Sequence, residues 1–208
     1  MDVFPNQRFD DAAAYAEAYF EQVQAAQRSV APEALRAAAT LLAQTVAAGG
    51  TVLACGNGGS AAISNHLLCD FLKGMRTGST LQPRVISLSS SPELMTAVAN
   101  DFDFAEIFAF QIEAMARPGD LLIATSSSGR SPNIVRAIVA GRAKGMRIVA
   151  MTGFDGGRAK LDADVALHVR SDNYGVVEDV HQSLMHILAQ YLRHANLTEP
   201  ADLGRIRF

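Results

Sequence analysis

The sequence predicts an α/β protein: a three-layer αβα sandwich on a five-stranded parallel sheet, preceded by an N-terminal helical hairpin. Three observations carry that prediction. After residue 50, short apolar segments of strand length alternate with segments of helical period, and strands separated by helices pair in parallel. Two of those apolar segments run straight into loops of small polar residues, Gly56-Asn57-Gly58-Gly59-Ser60 and Ser126-Ser127-Ser128-Gly129-Arg130-Ser131, before the next helical pattern begins. The first 48 residues instead place apolar side chains at three- and four-residue intervals in stretches rich in Ala, Leu, Glu and Gln.

The elements follow in order. Residues 9–30 and 32–48 read as the two leading helices, and Gly49-Gly50 stops the second. A strand is expected at 51–55, a helix at 60–74, a strand at 84–88, helices at 92–100 and 104–116, and a strand at 121–125. A helix at 131–144 starts at Ser131-Pro132, an N-cap serine with proline at the first helical position. Strands at 147–152 and 165–169 and a helix at about 176–195 complete the pattern. No Pro- or Ser-rich linker and no internal repeat interrupts it, so 1–208 is expected to be one domain, with 1–48 as its helical lead and 49–208 as its α/β core. In such sheets ligands bind beyond the carboxyl ends of the strands, where the strand order reverses, and both loops are expected there.

Composition narrows the function. With 49% apolar residues and a formal charge of −3, the chain supports a large core and lacks a basic footprint for nucleic acid. No run approaches the roughly 18 apolar residues of a membrane span, and Met1-Asp2-Val3-Phe4-Pro5 does not open a signal peptide. A cytoplasmic protein is expected, and Cys55 and Cys69, without CxxC spacing, are expected to be buried, unpaired thiols.

Both loops read as anion cradles, because free backbone N–H groups and hydroxyls converge where a helix begins. One capping serine would suffice at residue 131; Ser126, Ser127 and Ser128 are three more hydroxyls than a cap needs. Two helical clusters carry candidate chemistry. His66 and Asp70 are four residues apart, and Glu178 and His186 eight apart, so each pair projects from one helical face. Two imidazoles and two carboxylates suit zinc and other transition metals. His181, three residues after Glu178, is an alternative partner on that face, and a histidine on an apolar helix also reads as a hydrogen-bonded interior residue. Glu178 reads equally as an acidic residue at a helix start.

The pairing of Cys-Gly-Asn-Gly-Gly-Ser with Ser-Ser-Ser-Gly-Arg-Ser-Pro-Asn, with Asn100-Asp101 between them and Met151-Thr152-Gly153 later, resembles the sugar isomerase (SIS) domain, and within it the phosphoheptose isomerase branch. The resemblance covers nearly the whole chain. It implies the flavodoxin-like SIS fold. It also implies that Ser126, Ser127, Ser128 and Ser131 hold a sugar phosphate, and that Asn57, Gly58, Ser60 and Asp101 contact the rest of the substrate. It further implies a divalent metal, zinc in the family, at His66, Asp70, Glu178 and His186, with Asp70 and His186 as acid and base, and a homotetramer packed through the N-terminal helices. Two positions depart from the family pattern: Asp70 stands where a Glu is expected and Glu178 where a Gln is expected.

Two functions are weighed on that basis. The first is an aldose-ketose isomerase acting on sedoheptulose 7-phosphate to supply lipopolysaccharide, capsule or another glycan. The second is a non-catalytic SIS protein that senses a phosphosugar or binds a protein partner, of the type that associates with a replication initiator.

Overall fold

The computed structural model describes residues 4–199 and 203–204. Five strands, β1 Thr51–Gly56, β2 Arg84–Ser87, β3 Leu121–Ser126, β4 Arg147–Thr152 and β5 Val165–His168, form one parallel sheet in the order β2-β1-β3-β4-β5. The central strands β1 and β3 are buried on both faces, as a sheet covered by helices on each side requires.

One face carries α1 Ala12–Arg28, α2 Pro32–Ala47, α3 Gly59–Cys69 and α8 Tyr174–Ala195 over a core that includes Leu42, Val52, Leu67 and Leu184. The other carries α4 Pro92–Asp101, α5 Ala109–Met115, α6 Pro132–Ala143 and α7 Gly157–Asp162 over Leu122, Ile134, Ile138 and Ile148. The leading helices therefore pack on their own chain: Ala26, Ala38 and Leu42 are fully buried in that first core.

Several expected boundaries change. Helix α1 starts at residue 12 because the Asp11 carboxylate caps it, accepting from the Ala14 N–H at 3.1 Å. The helix expected at 60–74 divides, and from Asp70 it widens into a π turn, Asp70–Gly74, in which the Met75 N–H donates to the Asp70 carbonyl at 2.9 Å. The helix expected at 104–116 is a short 3₁₀ turn, Phe104–Glu106, followed by α5. Helix α7 has no counterpart in the expected pattern. No helix among the described residues is long and apolar enough to cross a membrane.

The chain leaves β1 toward one face and β3 toward the other, so the order reverses between these two adjacent strands. The loops into α3 and α6 flank that switch point, where an open α/β sheet forms its ligand crevice.

Candidate functional site

The two loops are tied together by their side chains. Asn57 Nδ2 donates to Asn133 Oδ1 at 2.9 Å, and Asn133 Nδ2 donates back to Asn57 Oδ1 at 2.8 Å. Between them lies a polar pocket lined by Asn57, Ser60, Thr125, Ser126, Ser127, Ser128, Ser131, Tyr174 and Glu178. The Ser126 carbonyl and hydroxyl both accept from the Gly129 N–H at 3.1 Å, and the Ser127 carbonyl accepts from the Gly153 N–H at 2.8 Å, which fixes the turn. Ser131 stands at the N-cap of α6, yet its hydroxyl makes no capping bond. The hydroxyls of Thr125 and Ser127 are buried without a hydrogen-bond partner among the described residues. Burying such groups unpaired costs free energy, and both line a pocket at the start of a 12-residue helix. Hydroxyl donors with the positive end of a helix dipole are suited to a phosphate dianion.

Four expected substrate contacts are placed differently from one another. Asn57 and Ser60 line the pocket. Gly58 is the N-cap of α3 at φ +53, a conformation in which glycine is favoured. Asp101 does not line it: it ends α4, exposed, with its carboxylate accepting from Asn100 Nδ2 at 2.8 Å.

One turn and more along α3, a second group converges. His186 Nδ1 lies 2.7 Å from Asp70 Oδ2, His66 Nε2 lies 3.3 Å from Asp70 Oδ1, and the two imidazole rings meet edge to face at 5.0 Å. Asp70 is the most enclosed of the three, with 14% of its side chain exposed. His66, Asp70 and His186 each present a ligand atom, and these atoms all lie within 4.8 Å of one another. Two imidazoles and a carboxylate at that spacing fit a divalent cation of the borderline kind.

Glu178 does not join this cluster, which corrects the expected four-residue metal set. Eight residues along α8 amount to a rise of about 12 Å, so Glu178 and His186 would have to extend toward each other to share an ion. Glu178 instead leans toward the helix N-terminus, as helical side chains do. Its carboxylate lies against Gly59, where a Cβ would collide with it, and it lines the serine pocket. Burial, with Asp179 next to it, raises its pKa. The polar residue that meets the histidines is Gln182, absent from the expected site. Its spacing of four before His186 is the signal in the sequence that could have found it.

The remaining expectations resolve simply. His181 is fully buried beside Thr152, apart from the cluster, and is an interior residue. Cys55 is a buried free thiol; Cys69 is free but exposed, because it ends α3 on its outer side.

The family model described as SIS domain matches residues 14–153. The phosphoheptose isomerase of Alteromonas mediterranea is 35% identical over 186 residues, 88% of this chain and 92% of that protein. The structure of phosphoheptose isomerase from Neisseria gonorrhoeae superposes with a TM-score of 0.79 at 32% identity, over 86% of this chain and 95% of that one. The phosphoheptose isomerase from Francisella tularensis gives a TM-score of 0.81 at 29% identity, over 88% and 98%.

Proposed function

This chain belongs to the SIS domain family, on its phosphoheptose isomerase branch, and we propose that it interconverts sedoheptulose 7-phosphate and D-glycero-D-manno-heptose 7-phosphate for lipopolysaccharide or related glycan synthesis. The observation that carries this reading is the Asp70–His186 pair at 2.7 Å, set along α3 from a pocket rich in hydroxyls. From Ser60 to His66 the helix rises about 9 Å, a length comparable to an extended heptose phosphate.

The phosphate is held by Ser126, Ser127, Ser128 and Ser131 at the start of α6, and the sugar hydroxyls by Asn57, Gly58 and Ser60. In the ketose-to-aldose direction the Asp70 carboxylate removes the proton from C1, beside the C2 carbonyl. The electron pair left on C1 becomes the double bond of an enediolate, and the same proton returns at C2 while His186 moves a proton from O1 to O2. The short contact to His186 orients the carboxylate and keeps a proton donor next to the developing oxyanion. A divalent ion, zinc in this reading, held by His66, Asp70 and His186 would polarise the carbonyl and its neighbouring hydroxyl.

A homotetramer in the cytoplasm is proposed with it. The free thiols Cys55 and Cys69 support a reducing compartment. Exposed Ile187 and Tyr191 beside an apolar groove between α2 and α8, and exposed Phe102, Phe104 and Phe110 next to Asp101, support an assembly that covers them. Light scattering at 22.1 kDa would refute the assembly.

The test is incubation with sedoheptulose 7-phosphate, following aldose formation by NMR, with the protein as isolated, after chelation and as His186→Ala. Turnover is expected in the untreated protein and lost in the other two. Binding of the phosphosugar without turnover in any sample would overturn the isomerase reading.

A further inference from the structure

Two loops have the makings of an anion cradle, and one of the two is filled from within the chain. The reciprocal amide pair of Asn57 and Asn133, at 2.9 and 2.8 Å, draws the starts of α3 and α6 together around one pocket. The first N–H groups of a helix have no partner inside it, and the helix dipole adds positive potential there. Two such ends at one pocket make a seat for two linked anions, as in a diphosphate. The carboxylate of Glu178, however, reaches in from α8 and occupies the space that a Cβ on Gly59, the first residue of α3, would take. Gly59 is not among the positive-φ glycines, so its backbone does not call for glycine; the carboxylate packed against it does. The α6 side of the pocket holds no such group. It presents hydroxyls, and that of Ser127 is buried without a partner among the described residues.

We propose that Glu178 is a specificity-determining residue: its carboxylate takes the α3 half of a double anion cradle, leaving the α6 half to a single phosphomonoester and shutting out diphosphates. The inference rests on the serine pocket being the phosphate seat. Its own support is the placement of Glu178 between the two helix starts. No basic side chain offsets its charge: burial and the neighbouring Asp179 both act against the ionised form and raise its pKa. A phosphate at the start of α6 has the serine hydroxyls and that helix end to itself. A second phosphate linked to it is forced against an anion already in place, in a partly buried setting where like charges repel far more than in water. Rejection by a built-in charge of the same sign is a means of selecting between ligands that share one anchoring group.

Calorimetric titration of the full-length protein with inorganic phosphate and with pyrophosphate tests this, in the unaltered chain and in Glu178→Gln, Glu178→Met and Glu178→Ala. The unaltered protein is expected to bind pyrophosphate no more tightly than phosphate. In Glu178→Gln, which keeps the shape and removes the charge, pyrophosphate affinity is expected to rise about tenfold or more and phosphate affinity by about threefold at most, because only the linked second anion is pressed against residue 178. Glu178→Met, also neutral and of similar length, is expected to behave alike and serves if the glutamine variant folds poorly. Any ion at His66, Asp70 and His186 is common to all four proteins and cancels in the comparison. An unchanged ratio of the two affinities in both neutral variants would overturn the proposal, as would a preference for pyrophosphate in the unaltered protein. A gain confined to Glu178→Ala would overturn it too, since volume rather than charge would then close the cradle. Failure of both anions to bind any of the four proteins would overturn the phosphate seat itself, and the proposal with it.

Discussion

The side-chain amides of Asn57 and Asn133 donate to each other, at 2.9 and 2.8 Å, across the two loops of the switch point. Each residue opens a different helix on a different face of the sheet, so this pair sets the width of the crevice. Asn133 is almost fully buried, with 1% exposure. Asn133→Ala leaves the Asn57 amide without its partner and is expected to cost about 1–3 kcal/mol of stability, measured by urea unfolding. A raised KM for the phosphosugar should accompany it.

Ser127→Ala is expected to separate stability from binding. The Ser127 hydroxyl is buried without a partner among the described residues, so its removal should leave the melting temperature unchanged or higher. If that hydroxyl serves a phosphate, binding weakens by about 1.5–3 kcal/mol, the scale of a hydrogen bond to a charged group. Calorimetric titration with sedoheptulose 7-phosphate reads the second effect and thermal unfolding the first.

Asp70→Asn keeps the shape of the side chain and removes its basicity. A fall in kcat of about 10²-fold or more is expected if Asp70 carries the proton. The pairing with both histidines is lost as well, so the variant is best judged by kcat against phosphosugar affinity. Retained affinity with lost kcat assigns Asp70 to chemistry, and unchanged kcat removes it from that role.

Burial pulls the pKa of His181 from 6.5 down to about 4. The folded protein therefore favours the neutral ring. Above pH 6.5 this costs nothing; between 6.5 and 4 the unfolded chain binds a proton that the folded one does not, so stability falls as pH falls, by about 3 kcal/mol at most. Unfolding at pH 7 and pH 4.5 should show the decline, and His181→Leu should flatten that part of the profile.

The parallel sheet was legible because β1 and β3 are uninterrupted apolar runs that end in Gly or Ser punctuation. Helix α7 was not, because its six residues have no apolar period; it forms around one buried residue, Ala159, packed against the far face of the sheet. Within the site, the four-residue spacing of His66 and Asp70 pointed directly to their convergence. The eight-residue spacing of Glu178 and His186 established a shared face but not a shared reach, and the side chain between them, Gln182, meets the histidines instead. Asn133 stood only as part of a loop motif, since a reciprocal amide pair between residues 76 positions apart leaves no local pattern.

The π turn at Asp70–Gly74 bears on how this segment tolerates change. Ile63, Leu67, Phe71 and Met75 are all buried, at strict intervals of four. On a helix of 3.6 residues per turn each such step advances the side chain by about 40°, and three steps would carry the row about 120° away from the sheet. The wider turn winds more slowly and takes back part of that angle, so Phe71 and Met75 still reach the core. Substitutions within 71–74 need only respect burial. Deletion of a single residue there would let the turn close as an ordinary α-helix through nearly the same total rotation, whereas insertion of one would throw everything beyond it about 100° out of phase, so this segment tolerates shortening better than lengthening.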